Sequence, residues 1–253
     1  MHVLRSLVLI AAAVAQIVCA LAPGLFGIDG SIGDTAERAR TALVPAGYAF
    51  SIWALLYAGG IYVAGWHLLR PRSNLAATVG LFAALAFTGD AVWALHQPAF
   101  GPGLVSFLLL QPILVFAYLA GWRSAQSPAP GPADRVAGAI LWALSGWITV
   151  ASAAGLSLAL KLGGLWPLVG DEAQSASVLL LLWAPLALIL AFRARAIAFA
   201  APIAWGLHAI AVRNPETGAL PLVIAAVVIG AALAGKLRDR NRAVAVYSRT
   251  ALR

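Results

Sequence analysis

Apolar residues run along this chain in blocks of about twenty, and Asp90 is the only Asp, Glu, Lys or Arg that falls inside one. Blocks of that length suit an α-helix crossing a bilayer, which needs about 20 residues. A barrel strand would show roughly ten residues of alternating character instead. The blocks predict eight membrane-spanning helices, over residues 6–22, 48–69, 75–95, 104–122, 136–160, 173–192, 196–212 and 219–235. Proline and glycine supply several of the breaks, at Pro23-Gly24, Arg70-Pro71-Arg72 and Gly101-Pro102-Gly103. The run from Ser127 to Pro132 reads as a flexible linker. The seventh block is the shortest, at the lower limit for a span.

Composition agrees with the pattern. The 253 residues are 62% hydrophobic and 10% charged, with a mean hydropathy of +0.90. A water-soluble domain carries about a quarter charged residues, so this chain lacks the polar surface to cover itself in water. In lipid every backbone amide must be satisfied within its own segment, which again selects helices. The expected class is an all-α polytopic membrane protein whose partner is the lipid bilayer.

Charge then tests the number of spans. With eight, the side holding the N-terminus also holds Arg5, Arg70, Arg72, Arg123, Arg135, Arg193, Arg195 and the six basic residues of the tail 236–253. The other side keeps only Arg38, Arg40, Lys161 and Arg213. Basic residues are retained in the cytoplasm, so both termini are expected there. The net charge of +8 is thus a topology signal and not a nucleic-acid footprint, because the basic residues are dispersed and belong to no binding module. Arg5, the first apolar block and Ala20-Leu21-Ala22 mimic a signal peptide. Pro23 in the first mature position argues for retention of that helix. The lone cysteine, Cys19, excludes an intramolecular disulfide and a cysteine-cluster metal site.

Polar residues at membrane depth are costly and are the first place to look for function. Asp90 lies about five residues from the external end of the third block, roughly 8 Å deep at 1.5 Å per residue. It reads either as a ligand-binding or proton-handling carboxylate, or as a structural group tying two helices together. Phe50, Trp53 and Tyr57 recur on one face of the second block, as a packing stripe or as the wall of a ligand cage. Trp53 enters at a depth similar to that of Asp90. Trp66 and Trp122 lie near the cytoplasmic ends, as an aromatic belt requires, while Trp142 and Trp147 lie deeper in the fifth block.

The segment from Pro45 to Tyr57, with Phe50, Trp53, Leu56 and Tyr57, resembles the Pro, Phe, Trp-x-x-Leu-Tyr hallmark of the TspO/MBR family, the translocator proteins. Asp90-Ala91-Val92-Trp93 is similar to the family's Asn-x-x-Trp, with Asp in place of Asn. Trp147 to Ala151 resembles its Trp-x-x-x-Ala, most closely that of the longer bacterial tryptophan-rich sensory proteins. Ala143-Leu144 stands where the family has Pro-Tyr, and Gly155 near where it has Asn. The resemblance covers residues 1–160. It implies a TspO-like five-helix unit, followed by three additional helices over 161–235 and a basic tail over 236–253. It also implies a location in the bacterial inner membrane and an external-side aromatic pocket. That pocket would bind a porphyrin, haem, sterol or similar lipophilic molecule through Trp53, Tyr57, Asp90, Trp93, Trp147 and Ala151. Trp205 and His208 carry no role in this reading.

A secondary transporter is the alternative. It would place its site at broken helices between repeats, and Pro112, Pro185, Pro202 and Pro221 are available as breaks, but no internal repeat is visible. Catalysis is not expected. His2, His67, His96 and His208 form no ligand spacing, Phe87 interrupts an otherwise Gly-x-Gly-Asp-like approach to Asp90, and no second acidic residue lies in a span. Gly59, Gly60, Gly230 and Gly235 permit close helix contacts, within one subunit or across a homodimer.

Overall fold

The computed structural model describes residues 2–25, 34, 36, 37, 39–69, 74–127 and 129–250, with backbone alone for His2, Asn74, Arg240 and 242–250. The break at Arg70-Pro71-Arg72, together with Asp29 and Arg38, lies outside the described residues. Among the described residues eight α-helices follow in order: α1 (His2–Leu25), α2 (Ile52–Leu69), α3 (Asn74–Phe100), α4 (Leu104–Ser124), α5 (Pro132–Leu162), α6 (Glu172–Ala194), α7 (Ile197–Arg213) and α8 (Leu220–Thr250). A 3-10 turn, Gly47–Ser51, leads into α2, and another, Pro215–Thr217, precedes α8. Seven of the helices are long and apolar enough to cross a membrane, and α7 is shorter, with 17 residues. At 1.5 Å per residue α7 rises about 25 Å, a little under the hydrocarbon thickness of about 30 Å.

Several helices outrun their apolar blocks. α1 passes Pro23 to Leu25, α3 passes Pro98 to Phe100, and α8 continues through the basic stretch to Thr250. A proline removes one amide bond and crowds the carbonyl four positions back, which can kink a helix without ending it, and beyond Pro98 the amide of Gly101 still reaches the carbonyl of Gln97 at 2.9 Å. Polar residues end a hydrophobic block without ending a helix, because Lys and Arg are good helix formers.

The helices close into two rings that share a member. α1, α2, α5, α4 and α3 pack in that cyclic order, while α5 also packs on α6 and α7, and α8 joins α6 to α7. α5 therefore has neighbours on every side, and 72% of its apolar stretch is buried, as expected for a helix hydrophobic all round. Glycines make this closeness possible. A Cβ on Gly121 of α4 would lie 2.7 Å from the ring of Trp142, and one on Gly146 of α5 would strike the Phe199 carbonyl of α7. Gly59 abuts Ile140, Gly60 abuts Gln16, and Gly235 abuts the backbone of Phe192, whereas Gly230 faces open space. Three of the four small residues expected at helix contacts are thus used inside the subunit.

The connection after α1 crosses one end of the bundle as a strap, residues 39–51. Helices from both rings tie it down. Thr41 Oγ1 lies 2.7 Å from Ser157 Oγ on α5, and the Ala42 amide donates to Glu172 Oε2 at 3.1 Å. Lys161 Nζ donates to the Arg40 carbonyl at 2.5 Å and pairs with Glu172 at 3.0 Å. Trp205 Nε1 of α7 donates to the Ala49 carbonyl and Asn214 Nδ2, just past the end of α7, to the Val44 carbonyl, each at 3.1 Å. The Ala46 amide donates to the Ala209 carbonyl, Tyr48 Oη lies 2.9 Å from His208 Nδ1, and Arg213 pairs with Glu37.

Candidate functional site: an aromatic cavity under the strap

Trp53, in the first turn of α2, is the centre of an aromatic cluster. Its ring stacks on Trp93 of α3 at 5.7 Å and on Tyr57, one turn further along α2, at 5.4 Å. Trp147 of α5 meets it edge-on at 6.2 Å, and Phe50 meets Trp147 likewise at 6.3 Å. The spacing of Trp53 and Tyr57 puts both on one face of α2, and Phe50, in the 3-10 turn that leads into it, continues the stripe. Offset-stacked and edge-to-face pairs of this kind add about 0.5–1.5 kcal/mol each beyond the area they bury.

Beside this cluster lies a cavity of about 60 Å³, room for about four waters at roughly 10–15 Å³ each. Trp53, Trp93, Trp147 and Ala151 line it, with Val44 and Pro45 of the strap as its roof. Its wall is almost wholly apolar. The polar exception is a chain in which Trp93 Nε1 donates to Ser106 Oγ at 3.0 Å and Ser106 in turn donates to Gln97 Oε1. Trp53 Nε1 and Trp147 Nε1 are buried and have no acceptor among the described residues. Among the described residues no His, Cys or Met lines the cavity.

The six residues expected to form the pocket are thus divided. Trp53, Trp93, Trp147 and Ala151 share the wall. Tyr57 lies behind Trp53 in a separate crevice, open between α1 and α2 and rimmed by Asp34, Glu37 and Arg213. Asp90 lies nearly one turn before Trp93 on α3, fully enclosed, with neither carboxylate oxygen bonded to any described group. Trp53, with Pro45 and Phe50, belongs to both cavity and crevice and stands between them.

A family model described as TSPO-like protein matches residues 5–237. The chain belongs to the TSPO-like family. Neither among curated proteins nor among solved structures does it find a match. The TSPO-like match runs across all eight helices, so α6, α7 and α8 fall within the family's extent.

In this TSPO-like chain α7 contributes directly to the site. Gly206 and Ile210 line the cavity, and Trp205, on the same helix, bonds the strap. Gly206 holds that wall back, because a Cβ there would come within 2.7 Å of Val150 and 3.4 Å of Trp147. Gln97 and Ser106 also escaped the sequence reading. Gln97 lies beyond the end expected for the third helix at residue 95, but once α3 is extended to Phe100 it falls one turn after Trp93 on the same face. Nothing in the sequence pairs Ser106 with it, and nothing places α7 against the pocket.

Proposed function

We propose that this TSPO-like membrane protein binds a small, flat, lipophilic molecule in the aromatic cavity, as a sensor or translocator, with tetrapyrroles as one ligand class. The observation that carries this reading is the cavity wall itself. Three tryptophans converge there, and two of their buried N–H groups lack acceptors. An apolar pocket with a few fixed polar groups is the usual form of a small-molecule site. A ligand carboxylate or carbonyl would gain the indole N–H bonds that the protein leaves unmade. The closed cavity is far below the roughly 300–1,000 Å³ of sites for drug-sized ligands. A macrocycle therefore requires the strap to lift and Trp53 to turn toward the crevice. With no His, Cys or Met in the wall, the residues present suit a metal-free porphyrin better than a haem needing an axial ligand.

Titration of the purified protein with protoporphyrin, haem and a sterol, followed by tryptophan fluorescence, tests the proposal. Saturable quenching is expected in the wild type, weakened by at least about fivefold in Trp53→Ala, since stacking of a flat ring on an aromatic side chain is worth about 1–3 kcal/mol. Asp90→Ala is expected to keep binding within a few-fold, because Asp90 lies off the cavity wall. Absence of saturable binding to all three ligands would overturn the proposal.

We further propose that both termini face the cytoplasm of a bacterial inner membrane. The pairs Lys161–Glu172 and Arg213–Glu37 gather at the strap end, and Arg195–Asp239 at the other. The end opposite the strap has the greater excess of basic residues, as the retention of positive charge requires. In a Cys19→Ala background, a membrane-impermeant maleimide is expected to label Leu165→Cys from outside spheroplasts and Gln126→Cys only after lysis. The reverse pattern would invert the topology.

A further inference from the structure

A second and larger cavity, about 780 Å³, opens at the end of the bundle away from the strap. α4 and α6 both lean on α5 but scarcely touch each other, and the gap between them is bridged where Tyr118 Oη donates to the Leu190 carbonyl at 3.1 Å. Trp142 of α5 forms the floor, and Trp122 and Ile189, both exposed, stand at the sides. Around the opening are Arg193, Arg195 and Lys236, with Asp239 the only acidic residue among the described ones that line it. Arg195 pairs with Asp239, whereas neither Arg193 nor Lys236 has an acidic partner among the described residues.

Retention of positive charge explains basic residues at this end but not their convergence on one cavity. Two local features add to it. Arg195 adopts a left-handed backbone with φ 56° at the end of α6, a place where glycine or asparagine is the ordinary choice. A charged side chain is kept there despite the strain. α7 then starts at Ile197, after Ala196, which provides no side-chain cap, so its first amides and the positive end of its dipole lie at the rim of the same opening.

We propose that this cavity seats the phosphate of an anionic phospholipid, held between Arg193 and Lys236, with the acyl chains lying along Leu119 and Ile189. The cavity is cationic at one end and apolar along its wall, and a basic pocket between spanning helices on the cytoplasmic side suits an anionic headgroup. The site is separate from the aromatic cavity and stands whether or not that cavity binds a ligand.

Native mass spectrometry of the detergent-purified protein with phosphatidylglycerol or phosphatidylcholine tests it. Phosphatidylglycerol adducts are expected to survive activation that strips phosphatidylcholine. They are expected to fall on the order of thirtyfold in Arg193→Gln/Lys236→Gln, two cations at about 1 kcal/mol each. Arg5→Gln/Arg135→Gln, which changes the charge equally on the same side, is expected to retain them. Equal loss in both double variants would reduce the effect to general charge attraction and overturn the site. Displacement of the lipid by millimolar inorganic phosphate, with the same thermal stabilisation, would make free phosphate the occupant and overturn the lipid assignment. Thermal unfolding of each variant, measured alongside, separates lost binding from lost fold.

Discussion

Gly146→Ala is expected to abolish most of the folded protein. A Cβ at this position of α5 would come 2.9 Å from the carbonyl carbon of Phe199 and closer still to its oxygen. That neighbour is backbone and cannot rotate away. Nor can α7 retreat easily, since the Phe199 side chain is fully buried against Trp142 at 5.9 Å and Tyr118 at 5.8 Å. Overpacking that flexible side chains absorb costs about 1–3 kcal/mol, and a clash that must move a whole helix costs more. Fluorescence-detected gel filtration after a heat ramp is the measurement. The expected result is a loss of the monodisperse peak or a drop in midpoint of several degrees or more. Gly65→Ala is the control, because nothing lies within 4 Å of a Cβ there, and it should behave as wild type or slightly better. Wild-type stability in Gly146→Ala would show that α5 and α7 are not in backbone contact, and α7 would then lose its place in the cavity wall.

Asp90→Val is expected to move stability in the opposite direction. The carboxyl group is fully enclosed, and neither oxygen bonds to a described group. Leaving a buried polar group unsatisfied costs about 1–3 kcal/mol, and an apolar replacement of similar size removes that cost. The same heat ramp should therefore show a higher midpoint. A lower one would mean that Asp90 makes a stabilising bond in the membrane, for instance through an ordered water joining α3 to α1 or α2. A rise in stability accompanied by lost function would mark Asp90 as a residue kept for its chemistry at the expense of the fold.

Much of this architecture is legible in the sequence because lipid leaves few choices. Apolar block length fixes the helices, and the placement of Arg and Lys fixes how many there are. The aromatic half of the site is legible for a related reason. Phe50, Trp53 and Tyr57 share a helical face by spacing alone, and Trp93 and Trp147 sit in segments that resemble TspO/MBR motifs. The remainder depends on contacts between residues far apart in the chain. Trp205 and Ala49 are 156 positions apart, and Asn214 and Val44 are 170 apart, and no local pattern announces such pairs. Asp90 shows the same gap in another way. Its depth is readable from the block boundaries, but its rotation about the α3 axis, which sets it off the cavity wall, depends on how α3 packs against α1 and α4.

The shared helix has a consequence for how the chain can be cut. α5 buries one face in the first ring and another in the second, and the strap roofing the cavity is fastened by residues on α5, α6 and α7. A version ending after Leu162 would expose to lipid a helix face already fitted to α6 and α7, Gly146 included. It would also release the strap from Glu172, Trp205, Asn214 and Arg213. The first five helices are therefore not a portable module, and transplanting the pocket into another scaffold means carrying its clasp as well.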